Sequence, residues 1–215
     1  MELPRPRPLR IVLEGRYARL EPLSLGHAQD LFAASSDARR FGYLFDTPPV
    51  DLADLRAWIE RGMGSEEYSF HAVIDRASGR AEGRQALMRI TPEHGVIEIG
   101  NILWGPAIAR TRVATEALYL AARYVFDELG YRRFEWKCND RNDPSKAAAL
   151  RFGFTFESVF RQHMWTKGAN RDTAWFSMID REWPAIRAAF ERWLEPSNFD
   201  ASGRQREKLG MDRRT

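Results

Sequence analysis

Three short segments, close together in the chain, carry residue types that could hold a phosphate-bearing ligand and move protons. Val96-Ile97-Glu98-Ile99-Gly100-Asn101-Ile102-Leu103-Trp104 alternates as a long strand and sets one carboxylate, Glu98, among apolar neighbours. Ala109-Arg110-Thr111-Arg112-Val113-Ala114 is a loop that opens the clearest helical pattern of the chain. Asn139-Asp140-Arg141-Asn142-Asp143-Pro144-Ser145 leaves a second strand and opens a short helix. A loop entering a helix presents unpaired N–H groups and the positive end of the helix dipole, which together favour phosphate. Arg110 and Arg112 add charge at the same place. The loop has neither the GxxxxGK[ST] pattern nor GxGxxG, so its ligand would be some other phosphate compound, or the arginines merely flank an exposed helix start. Glu98 could accept a proton from a reacting amine, or be a glutamate on a solvated face or in an ion pair. Ser145 could donate its hydroxyl proton, or cap a helix beside Pro144.

The elements that must position these residues follow from periodicity. Thr111 to Leu129 predicts a helix apolar round most of its circumference, with Glu116, Tyr119, Arg123 and Asp127 as one wet edge and Gly130 at its C-terminal cap. Strands are expected from Tyr17 to Pro22, Tyr68 to Ile74, Arg84 to Ile90, Gly95 to Trp104, Arg132 to Cys138, Phe154 to Trp165 and Thr173 to Ile179, the last two joined at Gly168-Ala169-Asn170. Ser24 and Asp51 suit helix caps, and Pro144–Phe152 and Pro184–Leu194 suit helices. The order predicts a mixed, mostly antiparallel sheet of about seven strands with helices on both faces. One domain over residues 11–195 is expected, between a Pro/Arg arm (1–10) and a polar tail (196–215) that reads as frayed. The loop from Phe41 to Pro49 is aromatic for a connection and suits either a gate over a cleft or a packed cover.

Composition excludes several classes. Of 215 residues, 44% are hydrophobic and 29% charged, with a net charge of +3, which suits a globular protein and gives no reason to expect nucleic acid. No apolar run reaches the ~18 residues of a membrane span, and the first residues lack a secretory h-region. A single cysteine, Cys138, permits no internal disulfide, and His27, His71, His94 and His163 show no metal spacing. A cytoplasmic protein without a metal is expected. His71 and His163 could line an acceptor pocket or be ordinary surface or core histidines. Ser145 lacks a GxSxG setting, which disfavours a hydrolase.

Taken in order and spacing, Glu98-Ile99-Gly100, Ala114-Thr115-Glu116-Ala117, Asn142-Asp143-Pro144-Ser145 with Ala149-Leu150-Arg151-Phe152-Gly153-Phe154, and Asn170-Arg171-Asp172 resemble the GNAT superfamily of acyl-coenzyme A-dependent N-acyltransferases, and within it the RimJ/RimL-like branch. The resemblance implies a single GNAT-like α/β (α+β) domain and transfer of an acetyl group from acetyl-CoA to a primary amine, either a protein N-terminus or a small molecule. It implies that Arg110, Thr111, Arg112, Val113, Ala114 and Thr115 hold the pyrophosphate. Ile102, Leu103 and Trp104 would pair with the pantetheine arm, with an N–H near Leu103 polarising the thioester, and Asn142 would also hold that arm. Glu98 would be the base and Ser145 the acid for the leaving thiolate. The chain departs from the family pattern at Ala109, at Arg112 where glycine is usual, and at Ala149 where many relatives have tyrosine. A left-handed conformation at Arg112 would be costly. These departures keep open a CoA-binding module without turnover, and a longer donor such as succinyl-CoA with Arg110, Arg112 or Arg141 as counter-charges. Exposed terminal strands would suit a homodimer.

Overall fold

The computed structural model describes residues 3–211. Eight strands form one sheet: β1 (Leu13–Glu14), β2 (Ala18–Pro22), β3 (Ser69–Asp75), β4 (Arg80–Thr91), β5 (Val96–Trp104), β6 (Arg133–Asn139), β7 (Thr155–Thr166) and β8 (Ala169–Ile179). Five helices accompany them: α1 (Ala28–Ala34), α2 (Leu52–Met63), α3 (Arg112–Arg123), α4 (Asp143–Arg151) and α5 (Trp183–Leu194). The strand order is β1-β2-β3-β4-β5-β6-β8-β7, antiparallel everywhere except between β5 and β6. The expected α/β architecture is present with one strand more than the periodicity indicated, because β1 is two residues long and too short to show alternation.

The helices divide between the two faces. α1 and α2 cover β3 and β4 through Leu31, Leu55, Ile59, Phe70, Ala72 and Ala86. α3, the turn that continues it and α5 cover the opposite face through Leu118, Val125 and Phe190 against Ile97, Phe134 and Phe176. Asp51 caps α2 by accepting from the Asp54 amide, and α3 runs into a single wider turn at Tyr124–Glu128 before Gly130, at φ +68°, reverses the chain. The β7–β8 turn lies at Lys167-Gly168, both with positive φ, so Ala169 and Asn170 belong to the strand rather than the turn.

Both ends are more attached than their composition suggests. The Arg5 amide donates to the Pro92 carbonyl, and the Tyr131 hydroxyl donates to the Pro6 carbonyl. In the tail, Phe199 and Leu209 are buried in the core, and Trp193 donates to Gln205. Proline and charge content gave no sign of these tertiary contacts. Met1, Glu2 and residues 212–215 of the expected arm and tail lie outside the described residues.

His71 is 2% exposed on β3, opposite Gln85, whose amide donates to Ala117 of α3; it therefore faces away from α1 and α2. Burial depresses its pKa to about 4, against weaker opposition from the Ile11 and Ser69 backbone. The unfolded chain protonates near the ordinary 6.5, so stability is full above that pH and falls as pH drops toward 4. The loss expected from this residue is on the order of 3 kcal/mol. Urea midpoints at pH 7 and 4.5 should differ less in a His71→Leu variant than in the wild type; an equal acid loss in both would remove His71 as the cause.

Candidate active site

β5 and β6 are paired only from Val96↔Arg133 to Ile99↔Trp136. Beyond Ile99 the strands separate, and a wedge opens between Gly100–Trp104 and Lys137–Asn139. β5 changes its pleat at the same point. Ala86 pairs with Gly100 but Arg84 pairs with Leu103, so β5 carries one extra residue, and Asn101 takes φ +50°. Such a bulge bends the strand and re-aims its groups. The expected pantetheine segment Ile102-Leu103-Trp104 is thus the free rim of the wedge, although Arg40 already donates to the Trp104 carbonyl.

The start of α3 stands close by in the chain. Thr111 caps it by accepting from the Val113 amide while its hydroxyl donates to the Ile108 carbonyl. The amides of Arg112 and Ala114 are then helix-start donors with no acceptor one turn back. The left-handed position is Arg110, at φ +66°, rather than Arg112, which is the first helical residue. A non-glycine residue there costs about 1–2 kcal/mol, a strain that persists where surrounding structure over-determines it. The Arg112 guanidinium stacks 4.3 Å from the Tyr17 ring centroid, so its backbone, not its charge, belongs to the loop. Arg151 brings charge there instead, donating at 3.1 Å to the Thr115 hydroxyl from the end of α4. Burial lowers its pKa, and among the described residues no carboxylate pairs with it. Arg151 lies inside a motif recognisable in the sequence, but nothing local indicates that α4 delivers it to α3.

Asn142 and Ser145 open α4. Asn142 caps the helix by accepting from the Ser145 amide. The Ser145 hydroxyl accepts from Trp136 Nε1 at 3.0 Å and also bonds Cys138, whose thiol pKa is raised mainly by burial. The capping role expected of a serine here is Asn142's, which leaves the Ser145 hydroxyl free to face β6. Ser145→Ala is expected to lower kcat about 10-fold or more if this hydroxyl protonates the thiolate. Thiol release at saturating substrate checks it, and full turnover would remove Ser145 from the chemistry.

Glu98 lies on the other face of the sheet, 2% exposed. Arg89 Nη1 donates to both of its oxygens at 2.8 and 2.9 Å, and Lys137 Nζ approaches to 2.9 Å. Arg89 reaches it because β4 carries a second bulge, with Arg89 at φ +45°. The charges continue as a ladder: Lys137 to Glu135 at 2.7 Å, Glu135 to Arg133 at 2.7 Å, and Arg133 to Glu157 at 2.6 Å. Arg133 holds the Glu157 carboxyl below its usual range. Lys137 also sits 3.8 Å above the Trp175 ring.

The 41–49 loop covers this face. Lys167 Nζ, at the β7–β8 tip, donates to the Phe41 and Asp46 carbonyls at 2.8 Å, and the Tyr43 hydroxyl donates to the Arg141 carbonyl. Asp46 pairs with buried Arg84, which lies 4.1 Å from the Trp58 ring. A cavity of about 190 Å³ remains beneath the loop, lined in part by Phe41, Phe45, Trp58 and Arg84. His163 reaches the same side, bonded to Thr173 Oγ1, whereas His71 does not. Among the described residues no group of His, Cys, Asp and Glu could hold a metal, and no helix is long and apolar enough to cross a membrane.

Comparison with known proteins places this geometry. An acetyltransferase (GNAT) domain model matches residues 18–155. The crystal structure of a GCN5-related N-acetyltransferase from Brucella melitensis is 56% identical, with a TM-score of 0.95 over 97% of this chain and 96% of that one. A probable acetyltransferase of the GNAT family from Chromobacterium violaceum ATCC 12472 is 37% identical, with a TM-score of 0.79 over 84% and 92% of the two chains. An uncharacterized N-acetyltransferase, p20, from Bacillus licheniformis is 27% identical over 76% of this chain and 93% of its own. The chain belongs to the GNAT family of acyl-CoA-dependent acetyltransferases.

Proposed function

We propose that the protein transfers an acetyl group from acetyl-CoA to a primary amine, a protein N-terminus or a small molecule, by direct attack of the amine on the thioester. The observation that carries this reading is the wedge between β5 and β6, with Ser145 on one face of the sheet and Glu98 on the other. The donor's pyrophosphate rests on the free Arg112 and Ala114 amides, within the Arg110–Thr115 loop, with Arg110 and Arg151 as counter-charges. Its pantetheine follows Ile102–Trp104 past Asn142. Glu98 takes the ammonium proton through a water, the nitrogen forms its bond to the carbonyl carbon, the carbon–sulfur bond breaks, and Ser145 supplies the thiolate with a proton. Buried Cys138, its thiol pKa raised, is a poor nucleophile at neutral pH, which favours direct attack over an acyl-cysteine.

The Asn142-Asp143-Pro144-Ser145 motif supports placement in the RimJ/RimL-like branch. The long edge strand β7, with Phe156 and Phe160 exposed, is where a homodimer would form. Thiol release from acetyl-CoA across a panel of peptides and small amines tests the reaction. Amine-dependent release is expected; tight CoA binding without release on a broad panel would favour a module without turnover.

A further inference from the structure

Most cations on the Glu98 face are matched by carboxylates, and Lys167 at its rim is held by the Phe41 and Asp46 carbonyls. Arg84 has Asp46, Arg89 has Glu98, Lys137 has Glu98 and Glu135, and Arg133 has Glu135 and Glu157. Arg171 on β8 is 7% exposed and, among the described residues, has no carboxylate partner. Its Nε donates to Thr173 Oγ1 at 3.3 Å, and its guanidinium lies 4.8 Å from the Phe45 ring centroid beneath the 41–49 loop. It stands near enough to Glu98 and Arg89 to feel both charges, and burial lowers its pKa from the ordinary value. A buried guanidinium is expensive unless paired, and a planar fork with unused N–H donors fits a carboxylate in two parallel hydrogen bonds.

We infer that Arg171 is an anion-binding residue of the Glu98 face, and that one reactant carries a carboxylate, on the amine or on the acyl chain, which the guanidinium fork receives beneath Phe45. This rests on the amine-acetylation reading for the identity of the two reactants. It deepens that reading by naming the chemical class of the reactant.

Calorimetry on the full chain separates the two sources without requiring turnover. The acceptor arm compares N-acetyl amino acids with their carboxamides in the presence of CoA. The donor arm compares succinyl-CoA with acetyl-CoA. The wild type should favour the carboxylate member of one pair by about 10- to 100-fold, and Arg171→Gln should collapse that ratio. Arg171→Lys keeps the charge without the fork and should retain only part of the ratio. It decides the question if the glutamine variant fails to fold, as circular dichroism would show. Equal binding within both pairs by the wild type, no binding of any carboxylate probe, or an unchanged ratio in the variants would overturn the assignment. Absence of thiol release would count against acetyl transfer alone.

Discussion

Glu98→Gln should lower kcat by about 10²- to 10⁴-fold while leaving KM for acetyl-CoA close to the wild-type value. Glutamine keeps the size and one hydrogen-bond acceptor but cannot take the ammonium proton. The seat proposed for the donor, on the α3 backbone and the rim of β5, does not involve this side chain, so donor affinity should hold. Glu98 is also the partner of Arg89 and Lys137, and its loss leaves Arg89 without a carboxylate while Lys137 keeps Glu135. A purely structural role would therefore show as a lower melting temperature with little change in kcat. Steady-state kinetics and a thermal melt on the same preparation separate these effects. A kcat within threefold of the wild type in a folded variant would rule out Glu98 as the base.

Glu116→Ala should destabilise the fold by about 3–5 kcal/mol, although the residue lies on a helix apolar round most of its circumference. Its carboxylate, 4% exposed, accepts from the Arg16 amide at 2.9 Å, from the Ala18 amide at 2.6 Å and from the Tyr17 amide between them. One side chain thus satisfies three consecutive backbone donors and fixes the turn from β1 into β2. Gly15 is required beside it, since a Cβ there would come within 2.6 Å of the carboxylate. Alanine strands all three N–H groups. For a chain of this size the loss corresponds to a drop of about 6–20 °C in melting temperature. A drop under about 2 °C would mean that water replaces the carboxylate at little cost.

Glu116 also marks where sequence and structure part. Helical spacing placed it with Tyr119, Arg123 and Asp127 on a wet edge, yet both Glu116 and Tyr119 are buried. Periodicity describes one helix at a time, and the β1–β2 turn that covers this edge comes from a segment about 100 residues away. Elements with long-period or capped patterns were legible for the opposite reason: α2 behind Asp51, α3 behind Thr111 and the alternating β5 are each encoded in their own residues. The wedge itself was not, because it depends on where the β5–β6 ladder stops. Nor were the two bulges at Arg89 and Asn101, which turn non-glycine residues to positive φ inside strands.

The same division runs through the site. Glu98, Ser145 and the α3 loop were recognisable from motif order, and all lie at or beside the wedge. Their partners were not recognisable. Arg89 and Lys137 are ordinary basic residues in the sequence, Arg151 and Arg171 lie in motifs that give no hint of their contacts, and all four acquire meaning only from the charge, hydroxyl or ring each one meets. Arg112 shows the converse, a cation that the loop pattern pointed to the phosphate but that stacks on Tyr17.

A crystal structure with bound acetyl-CoA would decide the matter in one experiment. The pyrophosphate should lie on the free amides of Arg112 and Ala114 at the start of α3, with the pantetheine against Ile102–Trp104 and the thioester in the wedge between Ser145 and Glu98. A donor bound outside the wedge, or with its thioester remote from both residues, would contradict the proposed chemistry.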